Sequence, residues 1–276
     1  MKRYQILDEI RGITLCSMIL YHTVWDLVYM FGCNWTWYCS DFAYLWQQSI
    51  CWCFILLSGF CFSMGKRKWR RGLVVLGAGT FITIVTHLLM PAQRVRFGVL
   101  TMLGVSMLLM ALLEKSMRLL FLEKKWSLSW RYIGLGISAV LFFLARDINL
   151  HHLGFEGIRL CRLPDACYRG NDFMTFLGFT GSGFYSTDYF SLMPWFFLFA
   201  CGYYFYHIAK EKNWLYKLSE KKKNTVVGKK MSACENRSAF FRFLSWMGRH
   251  SLLIYMLHQP VIYGVLYVIY VCGKAR

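Results

Sequence analysis

Leu7-Asp8-Glu9-Ile10-Arg11-Gly12, continuing through Met18-Ile19-Leu20-Tyr21-His22-Thr23-Val24-Trp25-Asp26-Leu27, reads as a membrane-spanning helix that opens on a charged cluster. It carries a histidine and an aspartate well along its length. An ionisable side chain near the middle of a span costs at least a few kcal/mol, so such a group points to a functional site. His22 and Asp26 are four residues apart and share one helical face. Arg11 is eleven residues before His22 and falls within roughly 20° of the same line, about 16 Å lower along the axis. The stripe therefore runs from one membrane surface at Arg11, through Met18, to His22 and Asp26 at depth.

Composition supports a membrane protein. Of the 276 residues, 57% are hydrophobic and 17% charged, against roughly 25% charged in a soluble domain. The expected fold is all-α: a polytopic transmembrane bundle of about seven spans, forming one integral-membrane domain over residues 1–276. The spans are expected near 12–32, 44–64, 72–90, 97–113, 132–145, 189–207 and 251–271; a span needs about 20 apolar residues. The first run does not read as a signal peptide, because Asp8 and Glu9 precede it and no small-residue cleavage site follows.

Net charge is +18, which raises nucleic acid as a partner. The basic residues instead cluster in short loops on alternate sides, the distribution of the positive-inside rule. Lys2, Arg3 and Arg11, then Lys66 to Arg71, then Lys115 to Arg131, then Lys210 to Arg249 hold about three quarters of all Lys and Arg. That bias places the N-terminus in the cytoplasm and the C-terminus outside, in a multi-pass cell-membrane protein. The loop at 208–249 is cytoplasmic and basic, with Lys221-Lys222-Lys223 and Lys229-Lys230. Such a run is drawn to anionic headgroups, or to an anionic nucleotide cosubstrate. The long outer loop at 147–188, before the sixth span, is rich in Gly, Phe and Asp, and could fold back as a lid or substrate platform. No C-x-x-C spacing occurs among the eleven cysteines, so no metal site is expected. Cys33/Cys39 and Cys161/Cys167 fall in polar loops, and their disulfide state is open.

The last span supplies a second buried histidine. Gly248-Arg249-His250-Ser251-Leu252-Leu253-Ile254-Tyr255-Met256-Leu257-His258-Gln259-Pro260 places His258 about 13 Å beyond Arg249. Tyr255 and Gln259 share its face. Arg94 and Arg96 precede the fourth span, where an arginine either snorkels or binds. Asp188 opens the sixth, as an N-cap or as a ligand group.

Four segments carry a family resemblance: Asp8 to Leu27; Met90 to Leu100 with Leu103-Gly104; Phe176 to Trp195; and Gly248 to Pro260. In this order they resemble a short bacterial member of the heparan-alpha-glucosaminide N-acetyltransferase catalytic-domain family, one of the transmembrane acyltransferases. The resemblance implies transfer of an acetyl group from cytoplasmic acetyl-CoA to a hydroxyl or amine of an extracytoplasmic glycan or lipid-linked sugar. In the related type-3 acyltransferases a catalytic histidine matches His22. In the lysosomal members that position is an asparagine, and the working histidine follows in the first outer loop. No histidine lies between Thr23 and Thr86 here, so the role falls to His22.

On this reading His22 is the base and Asp26 orients its imidazole. Arg11, Arg94, Arg96 and His258 meet acetyl-CoA, and Asp188, Tyr255 and Gln259 meet the acceptor. The alternative is a small proton-coupled transporter or channel with His22, Asp26 and His258 as a relay. A membrane scaffold would leave the deep charges without a use.

Overall fold

The computed structural model describes residues 4–120, 128–214 and 239–274. Lys2, Arg3, Lys124, Lys125 and the polybasic runs at 221–223 and 229–230 lie outside the described residues. Helices occupy all seven stretches expected to span: α1 (Gln5–Tyr29), α2 (Asp41–Phe62), α3 (Lys68–Leu89), α4 (Val99–Leu120), α5 (Leu128–Leu144), α7 (Leu192–Glu211) and α9 (Ser251–Lys274). The fold is an all-α helical bundle. Among the described residues, α2, α3, α4 and α9 are long and apolar enough to cross a membrane. α5 is apolar but shorter. The charges of α1 and the polar residues of α7 make those two helices less apolar.

Three elements were not foreseen. A short helix, α6 (Asp172–Leu177), and an antiparallel hairpin, β1 (His152–Phe155) with β2 (Ile158–Arg162), lie in loop 147–188. The hairpin turns at Glu156 and Gly157, both with positive φ (42° and 100°), the conformation that tight two-residue hairpins require. An eleven-residue helix, α8 (Ala239–Arg249), precedes α9. No disulfide joins Cys33 to Cys39 or Cys161 to Cys167.

The chain divides into two compact units, residues 1–54 with 215–276 and residues 55–214. In the first, α1 packs on α8 and α9. Leu15, Met18, Ile50 and Met247 form its core, with Trp46, Phe54 and Tyr255 against it. α1 and α8 approach so closely that a Cβ at Gly12 would overlap the Leu244 carbonyl, and one at Gly248 the Asp8 carbonyl. Small residues at such crossings let backbones meet where lipid supplies no hydrophobic drive between helices.

In the second unit α3 packs on α4, and α7 on α4 and α5. Here a carboxylate is held between helices. Lys68 Nζ and Glu114 lie 2.5 Å apart, and the Tyr203 hydroxyl donates to Glu114 Oε1 at 2.8 Å. Both charged side chains are largely buried, as the pairing of opposite charges allows.

Candidate functional site

The first unit brings together five of the nine residues expected at the site. α1 supplies His22 and Asp26 one turn apart, and α9 supplies Tyr255, His258 and Gln259. Helical rise put the two histidines at similar depth, and their ring centroids lie 4.8 Å apart with planes tilted by 60°. His258 Nδ1 sits 2.5 Å from the Tyr255 carbonyl oxygen. A carbonyl only accepts, so Nδ1 carries the hydrogen, and a neutral ring then presents its lone pair at Nε2. That Nε2 is buried and has no hydrogen-bond partner among the described residues.

Asp26 departs from expectation. Its side chain is fully buried, and Oδ1 accepts a hydrogen bond from Gln259 Nε2 at 2.7 Å. No His22–Asp26 pair forms among the described residues. The carboxylate turns to the amide donor on the adjacent helix, because a buried acceptor gains most from a fixed N–H. Asp26 therefore ties α1 to α9 and does not orient the His22 imidazole. Asp26 Oδ2 and Gln259 Oε1 have no partner among the described residues.

Aromatic side chains wall this group. Tyr21 meets His22 edge-on at 6.0 Å and Trp46 at 5.3 Å. Trp46 Nε1 donates to Ser17 Oγ at 2.8 Å. Phe54 stacks on Tyr255 at 5.8 Å.

Near the start of α1 a second set of charges is buried. Asp8 and Glu9 are 5% and 8% exposed. Arg249 Nε lies 3.9 Å from Asp8 Oδ2, and Ser245 Oγ donates to Glu9 Oε1 at 3.4 Å. Arg11 is half-buried and has no ion pair among the described residues. The sequence reading gave Asp8, Glu9 and Arg249 no role; burial shows that they lock α1 to α8.

The other three expected residues lie in the second unit. Arg96 pairs with Asp172 at 2.6 Å and lies over the rings of Phe97 and Phe184. Its backbone N–H donates to Ser186 Oγ, which donates in turn to the Arg96 carbonyl, both at 2.9 Å. The Arg94 carbonyl accepts from the Thr187 N–H at 3.3 Å. Arg94 Nε is buried without a partner among the described residues. These bonds latch loop 147–188 to the α3–α4 connection.

Asp188 does not cap the helix it was expected to open. Ser191 stands at the N-cap of α7, whereas Asp188 Oδ2 accepts from the Val99 N–H at 3.4 Å, at the first residue of α4. Gly98 leaves room for it, since a Cβ there would lie 2.9 Å from the same oxygen. The positive end of α4 thus holds the carboxylate.

Loop 147–188 has its own polar cluster. The Tyr168 hydroxyl donates to the Ile148 carbonyl at 2.5 Å, and burial pushes its phenol up to about 12. His151 stacks on Tyr168 at 3.6 Å and approaches Asp165 at 3.5 Å. The Arg162 guanidinium, 3.1 Å away, holds the Asp165 carboxyl below its ordinary range.

No curated protein and no solved structure matches this chain. The family model described as heparan-alpha-glucosaminide N-acetyltransferase, catalytic, matches residues 3–260, nearly the full length. With a bundle of apolar helices and two facing histidines on α1 and α9, this chain belongs to that family, a family of membrane acyltransferases.

Proposed function

We propose that the protein transfers an acetyl group from acetyl-CoA to a hydroxyl or amine of a glycan or lipid-linked sugar across the cell membrane. Its N-terminus is cytoplasmic and its C-terminus outside, within one integral-membrane domain. The observation that carries this reading is the imidazole pair, His22 with His258 at 4.8 Å, on two helices walled by aromatic rings. Two histidines at such depth are costly and suit proton handling better than packing.

The residues fit an acyl thioester on two counts. His258 Nε2 is a buried lone pair without a partner among the described residues. Arg11, about 16 Å down α1 from His22, is a half-buried guanidinium suited to phosphate. The thioester supplies an activated carbonyl with a thiolate leaving group. His22 takes the proton from the attacking hydroxyl or amine as the new C–O or C–N bond forms. It returns that proton to the sulfur as the C–S bond breaks. His258, held in one tautomer by the Tyr255 carbonyl, faces the imidazolium. Asp26 and Gln259 fix the register of α1 against α9, and Tyr255 shapes the wall.

The test is incubation of purified protein with radiolabelled acetyl-CoA. Consumption of the thioester is expected. A protein that neither binds nor consumes acetyl-CoA, yet moves protons across sealed vesicles, would overturn the reading in favour of the relay.

A further inference from the structure

The β1–β2 hairpin presents apolar side chains that no described residue covers. Ile158 and Leu160, on one face of β2, are 66% and 62% exposed, and nearby Leu150 is 67% exposed. Three ties fix the hairpin to the end of α5. The Asp147 N–H donates to the Gly154 carbonyl at 3.2 Å. Phe155 meets Phe143 at 5.0 Å. Arg146 lies 3.7 Å from Glu156.

α5 is apolar and is described over Leu128–Leu144. It buries Ser138 and Phe142 and exposes Ile133, Ile137 and Val140 at helical spacing, as a lipid-facing stripe does. Phe143, 45% exposed at the end of α5, meets Phe155 and brings the hairpin against the end of that helix. Arg159 and Arg162 lie in the same strand, Arg162 also 3.1 Å from Asp165, and such cations suit a phosphate headgroup.

We infer that the β1–β2 hairpin is a membrane-interface anchor, with Ile158, Leu160 and Leu150 in the lipid boundary and Arg159 and Arg162 among the headgroups. It seats loop 147–188 against the bilayer beside the end of α5. β2 has one edge that is unpaired among the described residues. That edge needs water for its backbone groups, so the hairpin lies at headgroup level and not in the hydrocarbon.

Photo-crosslinking tests this in full-length protein reconstituted into nanodiscs of phosphatidylcholine and phosphatidylglycerol. Benzoylphenylalanine replaces Leu160 in one variant, Ile137 on the α5 stripe in a second and exposed Asn171 in a third. Matching gel-filtration profiles confirm that each variant folds. Mass spectrometry is expected to find lipid adducts at position 160 comparable with position 137. They should be roughly tenfold above position 171, the partition expected from burying one leucine-sized side chain. Adducts at position 160 to a second copy of the chain, or a lipid yield no higher than at position 171, would overturn the inference.

Discussion

Replacing Gln259 by leucine should expose how much of the α1–α9 register rests on one buried bond. Asp26 is fully excluded from solvent, and its Oδ1 receives the Gln259 Nε2 donor at 2.7 Å. Leucine has similar bulk and no donor, so the change leaves a buried carboxyl oxygen with nothing to accept from. Stranding a buried polar group costs about 1–3 kcal/mol, more if it is charged. For a chain of this size that is a fall of roughly 4–8 °C in the unfolding midpoint for about 2 kcal/mol. Removing both polar partners is different, because neither is then stranded. Asp26→Leu with Gln259→Leu should recover most of the loss. Thermal unfolding of the four proteins in one detergent, followed by intrinsic fluorescence, completes the double-mutant cycle. The reasoning fails if Gln259→Leu costs under about 0.5 kcal/mol, or if the two single losses add within about that margin.

Other outcomes follow from the same packing logic. Gly12→Val should destabilise by about 1–3 kcal/mol in the same thermal assay, because the added atoms meet the Leu244 backbone and not a movable side chain. Glu114→Leu strands Lys68 and Tyr203 and should cost about 3 kcal/mol, with Lys68→Met in the same chain restoring much of it. The Tyr168 phenol rises from its ordinary value of 10.0 to about 12 in the folded loop. Its contribution is therefore complete below pH 10.0 and lost as pH climbs through about 12. Amide exchange across residues 148–168 should show that loss, and Tyr168→Phe should abolish the pH dependence at a cost of about 1 kcal/mol. Arg162→Ala should raise the Asp165 carboxyl toward its ordinary range, read by NMR titration of carboxyl-labelled aspartate.

What could be read in advance was whatever depends on local pattern. Seven apolar stretches became helices because length and apolarity are properties of contiguous residues. His22 and His258 could be placed at one depth because helical rise is constant, and they face each other. The Asp26 partner was misread because two candidates lay within reach. One was His22 on the same helix; the other was Gln259, 233 residues away, and sequence spacing ranks only the first. Asp188 was misread similarly: four residues before a helix, it looked like that helix's cap, while the orphan N–H it satisfies belongs to α4. The hairpin escaped notice because its two strands are four and five residues long. α8 was missed because its Phe240, Phe243 and Trp246 lie among basic residues that masked the helical pattern.

The central claim is that the two facing histidines perform the chemistry as a unit. Its most direct measurement is the release of free CoA thiol from acetyl-CoA by the wild type, His22→Ala, His258→Ala and the double variant, each checked for the wild-type unfolding midpoint. Losing the base should cost about 10²–10⁴-fold in kcat, and the double variant should be no slower than the worse single one, as for groups that act together. Full turnover by His22→Ala would contradict the account.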